Sequence, residues 1–216
     1  MEKDVSDILW ESYFYPGTTV LINLFDEHDK EKLKGLEATH TFQKLVELGQ
    51  EPLDMEIDKN RLNKIHEYLF KDIYPFAGKY RKVNIVKERG TFFFSKEIDI
   101  GKEIDAELDK EFLVVDDMVK NCYNLNDFSN ILSYLYAKLI FIHPYREGNG
   151  RTVREFLREF TIKKGKELGL GELELDWEDL KKRGIDADVE VAHRFPYANG
   201  PIFYDSLLSK NNIKTK

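Results

Sequence analysis

Residues 143–154 read HPYREGNGRTVR, which puts a possible base, a possible metal ligand, a glycine-rich turn and three arginines into one short span. His143 ends an apolar run. A neutral imidazole there can take a proton from a hydroxyl that attacks phosphorus. Gly148, Asn149 and Gly150 lead into a helix, whose first N–H groups lack internal acceptors and carry partial positive charge. Glycines flanking the asparagine let a phosphate approach the backbone and form an anion nest. Arg151 and Arg154 fall in the first turn of that helix, one turn apart on one face. Cations at that end oppose the helix dipole by roughly 0.3–1 kcal/mol each at exposed sites, and a bound polyphosphate reverses the sign. Glu147 is an acid beside the nest, which is unfavourable unless a cation intervenes. It is therefore a candidate ligand for Mg²⁺, an ion that often takes one carboxylate together with waters and phosphates. The set fits phosphoryl or nucleotidyl transfer, where positioning and charge stabilisation carry most of the catalysis.

Each feature has a plainer meaning when taken singly. Most Gly-Asn-Gly turns are ordinary loops, a histidine at a helix end is commonly a cap, and paired arginines usually face solvent. The combination in this order and spacing is what departs from chance. No Lys-Ser or Lys-Thr follows the glycines, so the stretch is not a Walker A loop. Arg158 continues the row a turn further on and reads as a surface residue. His28, His40, His66 and His193 show no ligand spacing and read as structural or surface groups.

Several elements must position these residues. Asp4 to Phe25 reads as irregular, with a turn at Tyr15 to Val20. Apolar spacing predicts a helix over about Asp29–Leu48, with Leu33, Leu36, Phe42, Leu45 and Val46 inward, and another over Lys59–Phe70. Pro75 and Gly78 break the pattern. Val83 to Phe94 favours extended structure, with Arg89-Gly90 able to turn the chain, and predicts a short hairpin. Ile100, Ile104, Leu108 and Phe112 recur every fourth residue and mark an amphipathic helix. Asn126 to Ile142 is apolar nearly all round, as in a central buried helix. A turn at Gly148–Gly150 leads to a helix from Arg151 to about Lys164, with Val153, Phe156, Leu157 and Phe160 inward. Shorter helices follow. The expectation is a mainly α domain with one hairpin.

Composition sets the outer bounds. A chain of 216 residues with 42% hydrophobic residues suits one globular domain. Its longest nearly apolar run, Leu132–Ile142, contains Lys138 and is too short to span a bilayer. The acidic N-terminus has no signal-peptide pattern. Cys122 is the only cysteine, which excludes an internal disulfide and argues against a four-ligand zinc site. A formal charge of −7 argues against a general nucleic-acid binder. A soluble cytoplasmic protein with neither membrane nor direct nucleic-acid partners is expected.

The stretch resembles the signature of the Fic family: His, any residue, Phe, any residue, Asp or Glu, then Gly-Asn-Gly-Arg, two residues and Arg. His143, Glu147, Gly148, Asn149, Gly150, Arg151 and Arg154 match it. Tyr145 stands where the family usually has Phe, a mild change if its hydroxyl finds a partner. The segments YPGTTVLIN and LFKDIYPFAGKYRKVNIVK occur in the family's usual order, in a layout similar to bacterial Fic toxins paired with a small separate antitoxin. The resemblance implies the Fic fold, a helical bundle with a central helix–turn–helix active-site motif and one β-hairpin flap. It implies a single domain over 1–216, with a core at about 59–165, an N-terminal helical segment at about 1–50 and C-terminal helices at about 176–210.

The implied activity is transfer of AMP from ATP to a Tyr, Thr or Ser hydroxyl of a target protein. His143 would be the base and Glu147 the Mg²⁺ ligand. Gly148, Asn149 and Gly150 would bind the α- and β-phosphates. Arg151 and Arg154 would hold the outer phosphates, with Arg154 on the γ-phosphate. The flap, with Val83, Asn84, Ile85, Val86, Lys87, Thr91, Phe92, Phe93 and Phe94, would pair with the target by strand addition. Tyr197 and Asn199 would line the adenine pocket. The target implied by the toxin layout is DNA gyrase or topoisomerase IV. Alternatives are transfer of UMP, phosphocholine or phosphate, or a non-catalytic binding module. Many family members carry an inhibitory Ser/Thr-x-x-x-Glu-Gly/Asn helix. Here a Glu followed by Gly or Asn occurs once, at Glu147 in the motif itself. An antitoxin supplying the inhibitory glutamate in trans is therefore expected.

Overall fold

Every second or third turn of a buried helix must find a partner, and the helix expected at the centre finds three. In the computed structural model, which describes residues 5–87, 90–92, 100–185 and 196–211, that helix is α5 (Leu125–Ile142). It is buried on nearly all sides and packs against α4 (Ile100–Lys120), α6 (Asn149–Glu167) and α8 (Gly200–Lys210). Asn124 starts α5 by accepting the Asp127 N–H at 2.9 Å. Phe128, Ile131, Leu132, Leu135 and Leu139 are almost wholly buried, each a side chain that contributes about 1.5–3 kcal/mol. On α4 the four apolar residues at fourfold spacing all turn inward, and Phe112 meets Phe156 edge to face at 5.6 Å.

Helix α3 (Lys59–Phe70) lies against α6, joined by a buried ion pair from Arg61 to Glu159 at 2.6 Å. Helix α2 (Lys30–Gln50) packs on α3 and begins at Asp29, whose carboxylate accepts from the Glu31 and Lys32 N–H groups. A short helix, α7 (Trp177–Lys182), sits beside α8. Strands β1 (Ile85–Lys87) and β2 (Gly90–Phe92) pair antiparallel with Lys87 opposite Gly90. The mainly α architecture with one hairpin is as expected.

Four details differ from the sequence reading. Residues 5–11 form a helix, α1 (Val5–Glu11), rather than irregular chain. Two turns are too short to show a periodic stripe, and α1 buries none of its residues. Helix α2 turns a different face inward: Leu33, Glu37, Thr41 and Leu48 are buried, whereas Leu36, Phe42 and Val46 are exposed. Gly90 belongs to β2, paired opposite Lys87. Finally, α6 starts at Asn149, so only Gly148 of the Gly-Asn-Gly run is outside the helix. Glu88, Arg89, Phe93, Phe94 and His193 lie outside the described residues.

Candidate active site

The C-terminus of α5 and the N-terminus of α6 face each other across Pro144–Gly148. His143 caps α5 in the left-handed conformation, at φ 48° and ψ 61°. A non-glycine residue there carries strain that the surroundings must hold. Arg81 supplies the hold. It is fully buried, and its Nε donates to the His143 carbonyl at 2.8 Å while Nη2 reaches the Ile142 carbonyl at 3.3 Å. Its backbone N–H donates to the Pro144 carbonyl at 2.8 Å. Burial lowers the Arg81 pKa to about 10, which still leaves it cationic at neutral pH. The His143 ring donates from Nδ1 to the Ile140 carbonyl at 3.3 Å. That contact puts the proton on Nδ1 and makes Nε2 the basic nitrogen.

The turn into α6 is tied from two directions. Asn149 is buried, and its side chain folds back on Tyr145: Oδ1 accepts the Tyr145 N–H at 2.9 Å and Nδ2 donates to the Tyr145 carbonyl at 2.7 Å. Its amide is thus spent on the loop, and its backbone is what heads the helix. His66 of α3 secures the other side. Gly78 N–H donates to His66 Nδ1 at 2.8 Å, so Nε2 carries the proton and donates to the Glu147 carbonyl at 3.0 Å. Burial, the largest influence, lowers the His66 pKa to about 3 and keeps it neutral. Gly148 takes φ +84°, and a Cβ there would overlap the Phe70 ring. No other residue type fits both constraints. Asn149, Gly150 and Arg151 head α6, so their N–H groups precede the first intrahelical acceptor.

Charge gathers around this end. Arg154 folds back so that Nη1 lies 3.3 Å from where a Cβ on Gly150 would sit. Arg154 is exposed to solvent. Partial desolvation first, and the neighbouring Arg151 charge, lower its pKa, and the two like charges together favour an arriving anion. Arg151 turns the other way: it pairs with Glu37, donates from Nη1 to Thr41 at 3.1 Å, and lies 5.0 Å from the Phe70 ring centre. Tyr74 donates to the other Glu37 oxygen, so both oxygens of that carboxylate are used. Glu147 is half-buried, accepts the Gly148 N–H at 3.1 Å and forms no ion pair among the described residues. Among those residues no cluster of three or more His, Cys, Asp or Glu could hold a metal. A single carboxylate with oxygen donors from water and phosphate is the donor set that suits Mg²⁺, and Glu147 fits it.

Two side chains in this wiring, Arg81 and Glu37, had no role in the sequence reading, and His66, read there as a structural or surface group, is a buried structural one. Their partners lie far away in sequence, and local spacing carries no sign of them. The flap residues Val83 and Ile85 are buried against the core, so the hairpin base faces inward and its backbone is what strand addition would use. Tyr197 is exposed and packs 5.7 Å from the Tyr134 ring, while Asn199 N–H donates to Ser133 Oγ at 3.1 Å. Tyr134 and Ser133 precede the end of α5 by about 12 Å of helix rise. Tyr197 lines a cavity of about 390 Å³ with residues of α4 and the first half of α5, and no motif residue borders it. The contacts described do not bring Tyr197 and Asn199 to the phosphate site. Arg158 bonds Glu155 through Nε and Nη2, a local pair on α6.

This arrangement is matched by a known family. The model of the Fic/DOC family matches residues 56–161, which span α3 to most of α6. Protein adenylyltransferase VbhT of Bartonella schoenbuchensis is 30% identical over 174 residues, 80% of this chain. The chain spans 34% of that relative's length. Probable protein adenylyltransferase y4lH of Sinorhizobium fredii is 30% identical over 175 residues, 80% of this chain and 83% of that protein. Among solved structures, BepC of Bartonella tribocorum with bound AMPPNP matches with a TM-score of 0.66 and 25% identity, covering 92% of this chain and 95% of that one. The N-terminal Fic domain of a Bep effector from Bartonella quintana with bound ADP gives 0.69 and 26%, covering 91% and 94%. The chain belongs to the Fic/DOC family and has the Fic fold.

Proposed function

We propose that this protein is an adenylyltransferase that moves AMP from ATP to a hydroxyl side chain of a protein. The observation that carries the reading is the turn that leads from His143 through Glu147 to the α6 N-terminus, where Arg154 folds back beside Gly150. The names of VbhT and y4lH and the nucleotides bound in the two Bartonella structures support it. In this reading His143 Nε2 takes the proton from the target hydroxyl as its oxygen attacks the α-phosphorus. The N–H groups of Asn149, Gly150 and Arg151 hold phosphate oxygens, and Arg154 holds the outer phosphate of the leaving pyrophosphate. Glu147 would bind Mg²⁺, which when bound neutralises phosphate charge. The flap backbone aligns the target segment.

The finer reading is a cytoplasmic toxin that acts on DNA gyrase or topoisomerase IV and is restrained by a separate antitoxin. It rests on the resemblance of layout. Arg154 pairs with no carboxylate among the described residues, which leaves it for a phosphate or for a partner's glutamate. The test is incubation of the chain with bacterial lysate and ATP labelled at the α- or the γ-phosphate. Protein labelling from the α-position alone, lost in His143→Ala while ATP binding persists, is the expected result; loss of a general base lowers the rate by about 10²–10⁴. Label only from the γ-position, or undiminished transfer by the variant, refutes the assignment.

A further inference from the structure

A cavity of about 1060 Å³ opens between α1, the turn at Tyr15–Leu21 and the start of α2, and reaches the motif at Arg146 and Glu147. Arg146 is the unusual member of its wall. The side chain is only 7% exposed, and its guanidinium forms no hydrogen bond or ion pair among the described residues. Aromatic rings surround it instead: its guanidinium carbon lies 4.5 Å from the Trp10 ring centre, 5.0 Å from Phe14 and 5.7 Å from Tyr13. Ring faces stabilise the charge but leave the N–H donors without acceptors, and a buried unpaired cation is costly. Burial accordingly lowers the Arg146 pKa, against the pull of Glu147.

The rest of the wall decides the sign of what fits. Glu37 already spends both carboxylate oxygens on Arg151 and Tyr74. Glu147 is the metal-ligand candidate, and Glu11 lies exposed at the rim. Lys30 has no ion pair among the described residues, and Lys34 has only a 3.8 Å pair with Glu31 on open surface. With Glu37 paired and Glu147 assigned to a metal, Arg146, Lys30 and Lys34 stand against Glu11 alone. Position points to the kind of partner. The Tyr13 ring, one of those around Arg146, holds its hydroxyl as acceptor for the Lys82 N–H at 3.1 Å, which ties the cage around Arg146 to the residue before the flap.

We propose that the cavity is a docking socket for an Asp or Glu side chain of the protein that is modified. Arg146 is the buried anchor, Lys30 and Lys34 are rim cations, and Phe14 and Tyr15 pack the neighbouring apolar residue. The role of the bound protein rests on the transferase reading above. The chain has two tryptophans, and Trp10 lies in the cavity wall, so its fluorescence reports occupancy once Trp177→Phe removes the other signal. The probe is a capped Ala-Asp-Phe-Glu-Ala peptide compared with its Asn/Gln counterpart, titrated into the full chain. The acidic peptide should bind about tenfold tighter than the amide form, and Arg146→Gln should remove that preference.

Lys30→Glu with Lys34→Glu should weaken the acidic peptide alone, and these surface changes decide the matter if Arg146→Gln does not fold. Equal binding of the two peptides, binding of neither, or a preference untouched by these variants overturns the proposal. So does displacement of the acidic peptide by ATP with Mg²⁺, which would give the cavity to the nucleotide. Peptide binding requires no transfer chemistry, so a socket that works in a chain inert toward labelled ATP would refute the transferase reading and leave the socket.

Discussion

Tyr145→Phe should stabilise this protein, against the usual direction for loss of a tyrosine hydroxyl. Tyr145 is fully buried, and its ring stacks on His66 with centres 3.7 Å apart and planes 7° from parallel. The hydroxyl is buried with no hydrogen-bond partner among the described residues. Burial raises its pKa well above the ordinary tyrosine value, so it stays protonated and neutral. A tyrosine hydroxyl that makes a hydrogen bond contributes about 0.5–1.5 kcal/mol, whereas an unsatisfied buried polar group costs about 1–3 kcal/mol. Phenylalanine keeps the ring, its stack and its volume to within one oxygen. The expected change is therefore a gain of about 1 kcal/mol, the low end of that cost because the neighbours can relax.

For a chain of this size that gain corresponds to a rise in Tm of about 2–4 °C. Urea unfolding is the direct assay, with the midpoint moving up and the slope unchanged. Tyr74→Phe is the control of opposite sign. Its hydroxyl donates to Glu37, and loss of a bond to a charged group should cost about 1.5–3 kcal/mol. A Tyr145→Phe protein less stable than wild type by even half of the control's loss would show that the hydroxyl is bonded, and the packing described for the motif would be wrong.

His66→Ala should cost about 3 kcal/mol, since it empties a buried ring site and leaves the Gly78 N–H and Glu147 carbonyl unpaired. ATP affinity by calorimetry should fall with it, because the turn before the nest loses its tie; unchanged affinity would make His66 a packing residue alone. Glu37→Gln should weaken α2's hold on the motif by about 1–2 kcal/mol, seen as faster amide exchange over Leu33–Leu48. Exchange that stays slow there would mean the helix is held by its apolar contacts. Arg154→Ala should lower affinity for ATP more than for ADP, through loss of a charge-assisted contact to the terminal phosphate. Equal losses would place Arg154 elsewhere on the nucleotide.

The parts of this structure that the sequence announced are those whose signals are local. Ile100, Ile104, Leu108 and Phe112 share one face of α4 because the helix period puts them there, and α5 is apolar all round because it is buried all round. The motif was legible for the same reason: its glycines, arginines, histidine and glutamate are close in the chain. Helix α2 shows where such reading stops. Its apolar residues Leu36, Phe42 and Val46 suggested the inner face, yet Glu37 and Thr41 are the ones turned inward. Glu37 and Thr41 are turned inward to meet Arg151 and Tyr74, and both partners are far away in sequence. The partners of Arg81 and His66 were hidden for the same reason, since each acts on a carbonyl of the motif from another element.

These long-range ties share a pattern that bears on how the site works. Alternate motif residues face in opposite directions. Tyr145 stacks on α3, Arg146 is caged by residues of α1 and the turn beyond it, and Arg151 is gripped by α2. His143, Glu147 and Arg154 are the groups proposed for the chemistry. Each outward tie uses a side chain too polar or too large to be an indifferent core filler, and each reaches a different element. The left-handed His143 and the Gly148 turn are conformations that a lone helix–turn–helix would relax out of. Fixing them requires contacts from several sides. The N-terminal helices therefore belong to the active site mechanically, although they supply none of its reacting groups.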